Sequence, residues 1–291
     1  MLVQQTINKA NVGFKTIFNK VFEETETSFE KIATVVPSNN KIESYHWLGS
    51  MPTLRKWIGD KVVKNIQEHE YTIKNEPFEA TISISKFDIQ DDNLGIYKPQ
   101  VESLAQSAKL HPEQLVFETL EKGFTEKCYD GVAFFGTHKV GKKTYKNFTD
   151  KKLTLENYIS ARKTMMGLKN EEGKSLRIMP DLLVVPPSLE KEAMDIVKAD
   201  FINGSSNTYK GTAEILVSTE LISETGWYLL DTKKAIKPFI YQERQKPKFL
   251  SLTNDTDETV FLKGDYLYSV EARGNAGYGF WQMAYGSTGT A

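Results

Sequence analysis

Cysteine is almost absent: Cys128 is the single one in 291 residues. No disulfide can form within the chain, which fits a reducing compartment and leaves packing and hydrogen bonds to hold the core. Histidine is scarce too, and His46, His69, His111 and His138 show no metal-ligand spacing of the H-E-x-x-H kind. No apolar run approaches the ~18 residues that a membrane span needs, and no signal-type apolar segment follows Met1. An excess of one charge is missing as well. The 37 Lys and Arg against 38 Asp and Glu give a net charge of −1, so no overall field draws the chain to nucleic acid or an anionic membrane. The nucleophile elbow and the dinucleotide fingerprint are both lacking. On these grounds no catalytic, cofactor-binding or metal-binding residue is expected.

Three stretches imitate chemistry. Gly167-Leu168-Lys169-Asn170-Glu171-Glu172-Gly173-Lys174-Ser175 looks like a phosphate loop, but it has five residues between its glycines where four are required. It reads as a helix end running into a turn. Asp88, Asp91 and Asp92 lack the glycine and glutamate offsets of a calcium loop and read as a turn. Asn147-Phe148-Thr149 matches a glycosylation sequon and, without a secretory signal, is read as chance.

What is present is an ordinary globular balance, 40% apolar and 26% charged. Val3, Ile7, Ala10, Phe14, Ile17 and Val21 recur at spacings of 4, 3, 4, 3 and 4, which predicts an amphipathic helix. It either packs on its own domain or lies as an arm on a neighbouring subunit. Leu54, Trp57, Ile58, Val62 and Ile66 give a second helical pattern. Two alternating stretches follow, Tyr71 with Ile73, then Phe78, Ala80, Ile82 and Ile84, divided by Lys74-Asn75-Glu76-Pro77. They predict a β-hairpin with one apolar face, or two strands of a larger sheet. Val101, Leu104, Ala105 and Ala108, then Leu115, Val116, Leu120 and Phe124, predict one long helix kinked at His111-Pro112, or two stacked ones. Residues 153–245 pattern as α/β and 246–291 as β-rich. Lys139, Lys142, Lys143, Lys146, Lys151 and Lys152 read as a solvated loop, with an acidic neighbour or DNA phosphates as the functional alternative.

Three aromatic-glycine signatures stand in order along the chain. They are Trp47-Leu48-Gly49-Ser50-Met51-Pro52 running to Trp57-Ile58-Gly59-Asp60, Cys128-Tyr129-Asp130-Gly131-Val132-Ala133-Phe134-Phe135, and Ala272-Arg273-Gly274-Asn275-Ala276-Gly277-Tyr278-Gly279-Phe280-Trp281-Gln282-Met283-Ala284-Tyr285-Gly286. Together the set resembles the major head subunit of Mu-like phages and prophages, over roughly residues 45–286.

The resemblance implies an α+β tailed-phage capsid fold. Its parts would be an N-terminal arm (1–45), an extended β-hairpin loop (46–98), a peripheral domain with a spine helix (99–152 and 246–291) and an axial α/β domain (153–245). It implies a structural, non-enzymatic protein that self-assembles, as pentamers and hexamers, into an icosahedral virion head built in the host cytoplasm. Scaffold, portal and maturation proteins and encapsidated double-stranded DNA would be its partners, with no membrane and no cofactor. Val3, Ile7, Phe14, Trp47, Trp57, Phe78 and Ile82 are the expected assembly contacts, because apolar and aromatic side chains anchor interfaces. An encapsulin-like nanocompartment and, from another class, an α/β metal-dependent hydrolase using the Asp88–Asp92 cluster remain as alternatives.

Overall fold

The computed structural model describes residues 2–49, 71–91, 94–202, 204–254 and 256–291. The expected helical pattern from Leu54 to Ile66, with Trp57, lies outside these, as do Asp92 and the side chains of Val3 and Trp47. In chain order, α1 (Leu2–Glu24), β1 (Ala33–Pro37) and β2 (Ile42–Ser44) come first. Then come β3 (Thr72–Lys74), β4 (Glu76–Ser85), α2 (Lys86–Gln90) and α3 (Lys98–Lys122). The middle holds β5 (Thr137–Val140), β6 (Lys143–Lys146), β7 (Phe148–Thr149), α4 (Leu155–Met166), β8 (Leu182–Val185) and α5 (Glu190–Val197). After it follow β9 (Phe201–Ile202), β10 (Ser205–Ser206), β11 (Glu214–Val217) and β12 (Trp227–Leu230). Last are β13 (Phe239–Leu252), α6 (Glu258–Lys263), β14 (Asp265–Tyr278) and β15 (Ala284–Ser287).

Two sheets share one long helix. The first has strand order β1-β13-β14-β4, with β1 parallel to β13 and the other pairs antiparallel. Ile7, Phe14 and Phe18 of α1, Val101, Leu104 and Ala105 of α3, and Tyr266, Tyr268 and Val270 of β14 form its core. The second has order β11-β8-β12-β15-β7 and a separate, larger core. β8 and β12 are buried at every residue, as suits central strands covered on both faces. Val116, Phe117 and Leu120 from the second half of α3 reach that larger core. α3 therefore carries two apolar stripes, one for each core.

This explains why α3 runs unbroken through Pro112. An interior proline costs about 3 kcal/mol and one backbone hydrogen bond. Burying Val101 and Leu104 on one side of it, and Val116, Phe117 and Leu120 on the other, stabilises the helix by about 1.5–3 kcal/mol per side chain. Packing wins, and the two stripes are halves of one helix.

Two further expectations change. Residues 71–86 do not fold as a hairpin: β3 pairs with β2, while β4 pairs with β14 along ten residues. Asn75, between them, is buried at 2% exposure. Its Nδ2 donates to Ser38 Oγ at 2.8 Å and to the Asn40 carbonyl at 2.7 Å, and its Oδ1 accepts from Gln242 Nε2 at 2.8 Å. Those partners draw β3 and β4 apart. In addition, residues 246–291 do not all join the first sheet, for β15 pairs with β12 and β7 in the second. The crossing is made at Gly279, where a Cβ would stand 2.6 Å from the Lys237 carbonyl oxygen, and completed by the 3-10 turn Trp281–Met283.

Candidate functional site

The surfaces come first. Ile7 and Phe14 are buried at 1% and 2% exposure, and Phe14 meets Tyr268 edge-on at 5.1 Å. Packing on the chain's own sheet accounts for both, leaving little of either side chain for a neighbour in this conformation. Phe78 and Ile82 are half-buried on β4. The Phe78 ring lies 4.1 Å from that of His111 in α3. Ile82 lines a shallow groove of about 420 Å³ with Ala80, Pro99, Ser103, Leu104 and Ser107. Among the described residues β4 has a strand on one side alone, so its other edge presents unpaired backbone groups, a template for strand pairing. No helix among the described residues is long and apolar enough to cross a membrane.

The middle and C-terminal signatures meet in a buried joint. Gly131, at φ +77°, turns the loop so that Cys128 N donates to Val132 O at 2.8 Å. Asp130 Oδ1 accepts from Val132 N at 3.1 Å and from Cys128 Sγ at 3.2 Å. Its other oxygen lies 2.6 Å from His138 Nδ1, and His138 Nε2 lies 3.1 Å from the Phe134 carbonyl. The His138 ring is stacked on Trp281 at 4.1 Å with 6° between the planes. Burial alone would raise the Asp130 carboxyl pKa, but the hydrogen bond and charge of His138 outweigh it and hold it below the usual range. Burial, reinforced by the Asp130 charge, pushes the Cys128 thiol far up, so it remains an unreactive SH.

Cys128, Asp130 and His138 offer three ligand types within 4.8 Å of one another. Tetrahedral ligands on a zinc-sized ion, at bonds of about 2.0–2.3 Å, stand roughly 3.3–3.7 Å apart. The 2.6 Å between His138 and Asp130 is instead a hydrogen-bond separation. The trio is a structural clasp between loop and C-terminal segment.

Asn147 completes it, and its sequence reading missed this. It is 3% exposed. Its Nδ2 donates to the carbonyls of Phe134 at 2.9 Å, Ala284 at 3.2 Å and Trp281 at 3.3 Å, while its Oδ1 accepts from Gly136 N at 2.8 Å. Of the first signature, Leu48 is fully buried in the same core. The glycine-flanked segment settles as a turn, in which Asn170 N donates to Lys174 O at 2.8 Å; the turn expected at Asp88 is instead part of α2, where Asp88 accepts from the Tyr97 hydroxyl and Asp91 caps the helix end.

The family described as Mu-like prophage major head subunit gpT matches residues 7–150, 144–221 and 218–290. The major capsid protein of Escherichia phage Mu is 32% identical over 279 residues, covering 96% of this chain and 72% of the relative. The Mu-like prophage FluMu major head subunit of Haemophilus influenzae is 33% identical over 279 residues, covering 96% and 71%. Among solved structures, a chain of the procapsid of bacteriophage JBD30 matches with a TM-score of 0.61 and 31% identity, covering 97% of this chain and 74% of that one.

Proposed function

Since the chain belongs to the Mu-like prophage major head subunit family, we propose that its mechanism is assembly rather than catalysis. It is a major capsid protein with the tailed-phage capsid fold, and its copies build the shell of the head. The nanocompartment and hydrolase readings are not favoured. What supports the mechanism is the family match along residues 7–290, together with the joint of Asp130, His138, Asn147 and Trp281, where residues of the middle and C-terminal signatures and their neighbours hydrogen-bond and stack on one another.

In this reading, subunits meet through heterologous contacts that close into rings of five and six. Many modest contacts per subunit then sum through effective concentration. The arm (1–45), extended loop (46–98), peripheral (99–152 and 246–291) and axial (153–245) divisions stand as our assignment. It is amended so that β7 and β15 count with the axial sheet. The groove beside Ile82 and Phe78 and the open edge of β4 are offered as neighbour contacts, with Val3, Trp47 and Trp57 as further candidates. Scaffold, portal and maturation proteins would act on this subunit in the host cytoplasm. Sedimentation tests the reading: assembled protein runs as megadalton particles, whereas a chain that stays at 33.1 kDa with its scaffold present contradicts it.

The shell encloses double-stranded DNA without gripping it. Lys139, Lys142, Lys143 and Lys146 lie exposed on the β5–β6 hairpin, and Lys146 Nζ stands 4.2 Å over the Phe148 ring. Each phosphate contact would add about −0.9 to the log–log salt slope of binding. The soluble subunit is therefore expected to show no appreciable duplex binding at physiological salt. Changing Lys142, Lys143 and Lys146 together to Gln should leave genome packaging near normal. Tight, salt-sensitive binding that vanishes in the triple variant would make the hairpin a DNA contact instead.

A further inference from the structure

A buried polar atom at the contact of α3 with β4 lacks a partner. Among the described residues, His111 Nε2 is shut off from solvent and makes no hydrogen bond. The His111 ring lies 4.1 Å from that of Phe78, with 58° between the planes, and so joins the helix to the strand. Beside it is a cavity of about 130 Å³, whose walls include Phe78, Ala80, Ala108, Val270 and Ala272. A neutral imidazole tolerates this place, since it carries its one proton on either nitrogen. An imidazolium has a donor on both, and a charged donor without an acceptor in apolar surroundings is costly. Burial accordingly holds His111 below the ordinary histidine value of about 6.5.

Among the described residues no charge relieves it. On β4, Glu79 at the rim of the cavity is exposed and accepts from Thr81 Oγ1 at 2.8 Å. On β14 the wall is Val270 and Ala272, in register with Ala80 and Phe78, while Glu271 and Arg273 alternate to the opposite face. On α3, Lys109 Nζ stands 5.0 Å over the Phe22 ring of α1, and Glu113 accepts from Ser28 N at 2.7 Å. We propose that His111 is an acid-sensitive catch: neutral, it holds α3 against β4, and protonated, it lets that seam open. The ladder of β4 with β14 lies outside the seam and persists. The unfolded chain takes up the proton near pH 6.5, and the folded subunit only at a lower pH. The contribution of His111 is therefore full above about pH 6.5 and is lost as pH falls from there to the folded value.

The test uses the dilute, unassembled full chain, as wild type and as His111→Phe, which keeps a ring against Phe78 but cannot titrate. Below about pH 6.5 the unfolding constant of the wild type should rise by up to about tenfold per pH unit more than that of the variant, until the folded value is reached. Hydrogen exchange, corrected for the intrinsic pH dependence of amides, should quicken in α3 around residues 104–115 when the wild type is acidified, and not in the variant. Should His111→Phe fail to fold, the ring-proton shifts of His111 in the wild type decide by themselves, and a titration midpoint clearly below 6.5 is expected. Parallel pH profiles of the two proteins would overturn the proposal. So would exchange that rises evenly over the whole subunit. A midpoint at or above about 6.5 would overturn it too, because the Phe78 ring would then be stabilising the cation.

Discussion

Asn147→Leu is expected to destabilise the subunit by about 2–5 kcal/mol, because it leaves the Gly136 N–H and the Ala284 carbonyl without their side-chain partner in a buried site, while the Trp281 carbonyl keeps the Ala284 N–H. Each such group costs about 1–3 kcal/mol when stranded, and leucine fits the volume without replacing any of the bonds. Asn147 lies between β6 and β7, so its loss also loosens the seam that holds β15 in the second sheet. Thermal or denaturant unfolding of the subunit measures the loss. A change below about 1 kcal/mol would mean that these groups find other partners, and that the seam does not depend on this side chain.

Asp130→Ala carries an effect of similar size with a different pH signature. Removing the carboxylate strands His138 Nδ1 and the Val132 N–H, at about 1–3 kcal/mol for each group left without its partner. The Asp130 carboxyl pKa is held below its ordinary value in the folded state. A depressed carboxylate stabilises the fold above the ordinary carboxylate value of about 3.9, and that contribution is lost as pH falls through the folded value. The gap between wild type and variant should therefore be full at pH 7 and narrow below about pH 4. Denaturant unfolding at several pH values reads it directly. A gap that stays constant into acid would show that Asp130 acts through shape and neutral hydrogen bonds alone.

Much of this architecture is written locally. The stripe from Val3 to Val21 gave α1, and the alternation of Phe78, Ala80, Ile82 and Ile84 gave a strand. The two stripes of α3 were visible, because periodicity depends on neighbours a few residues away. What was not legible depends on distant partners. Lys74-Asn75-Glu76-Pro77 has the composition of a turn, yet Asn75 is bound by Ser38, Asn40 and Gln242 from far along the chain. Pro112 signals a break, and only burial on both sides of it keeps α3 whole. The C-terminal signature was recognised as a motif without its reason. Its glycines stand where backbone or rings crowd in: a Cβ on Gly286 would come within 2.9 Å of the Phe135 ring of the middle signature. Asn147, in a sequon, carried no local mark of its four buried hydrogen bonds.

The account stands most directly on a reconstruction of particles assembled from this chain with its scaffold. It predicts closed shells with rings of five and six subunits. In each subunit α3 should run unbroken from Lys98 to Lys122 between the two sheets, with Ala284–Ser287 paired to Trp227–Leu230. Protein that forms no closed shell would contradict the account, as would shells whose subunits have α3 broken at Pro112 and the last strand outside the second sheet.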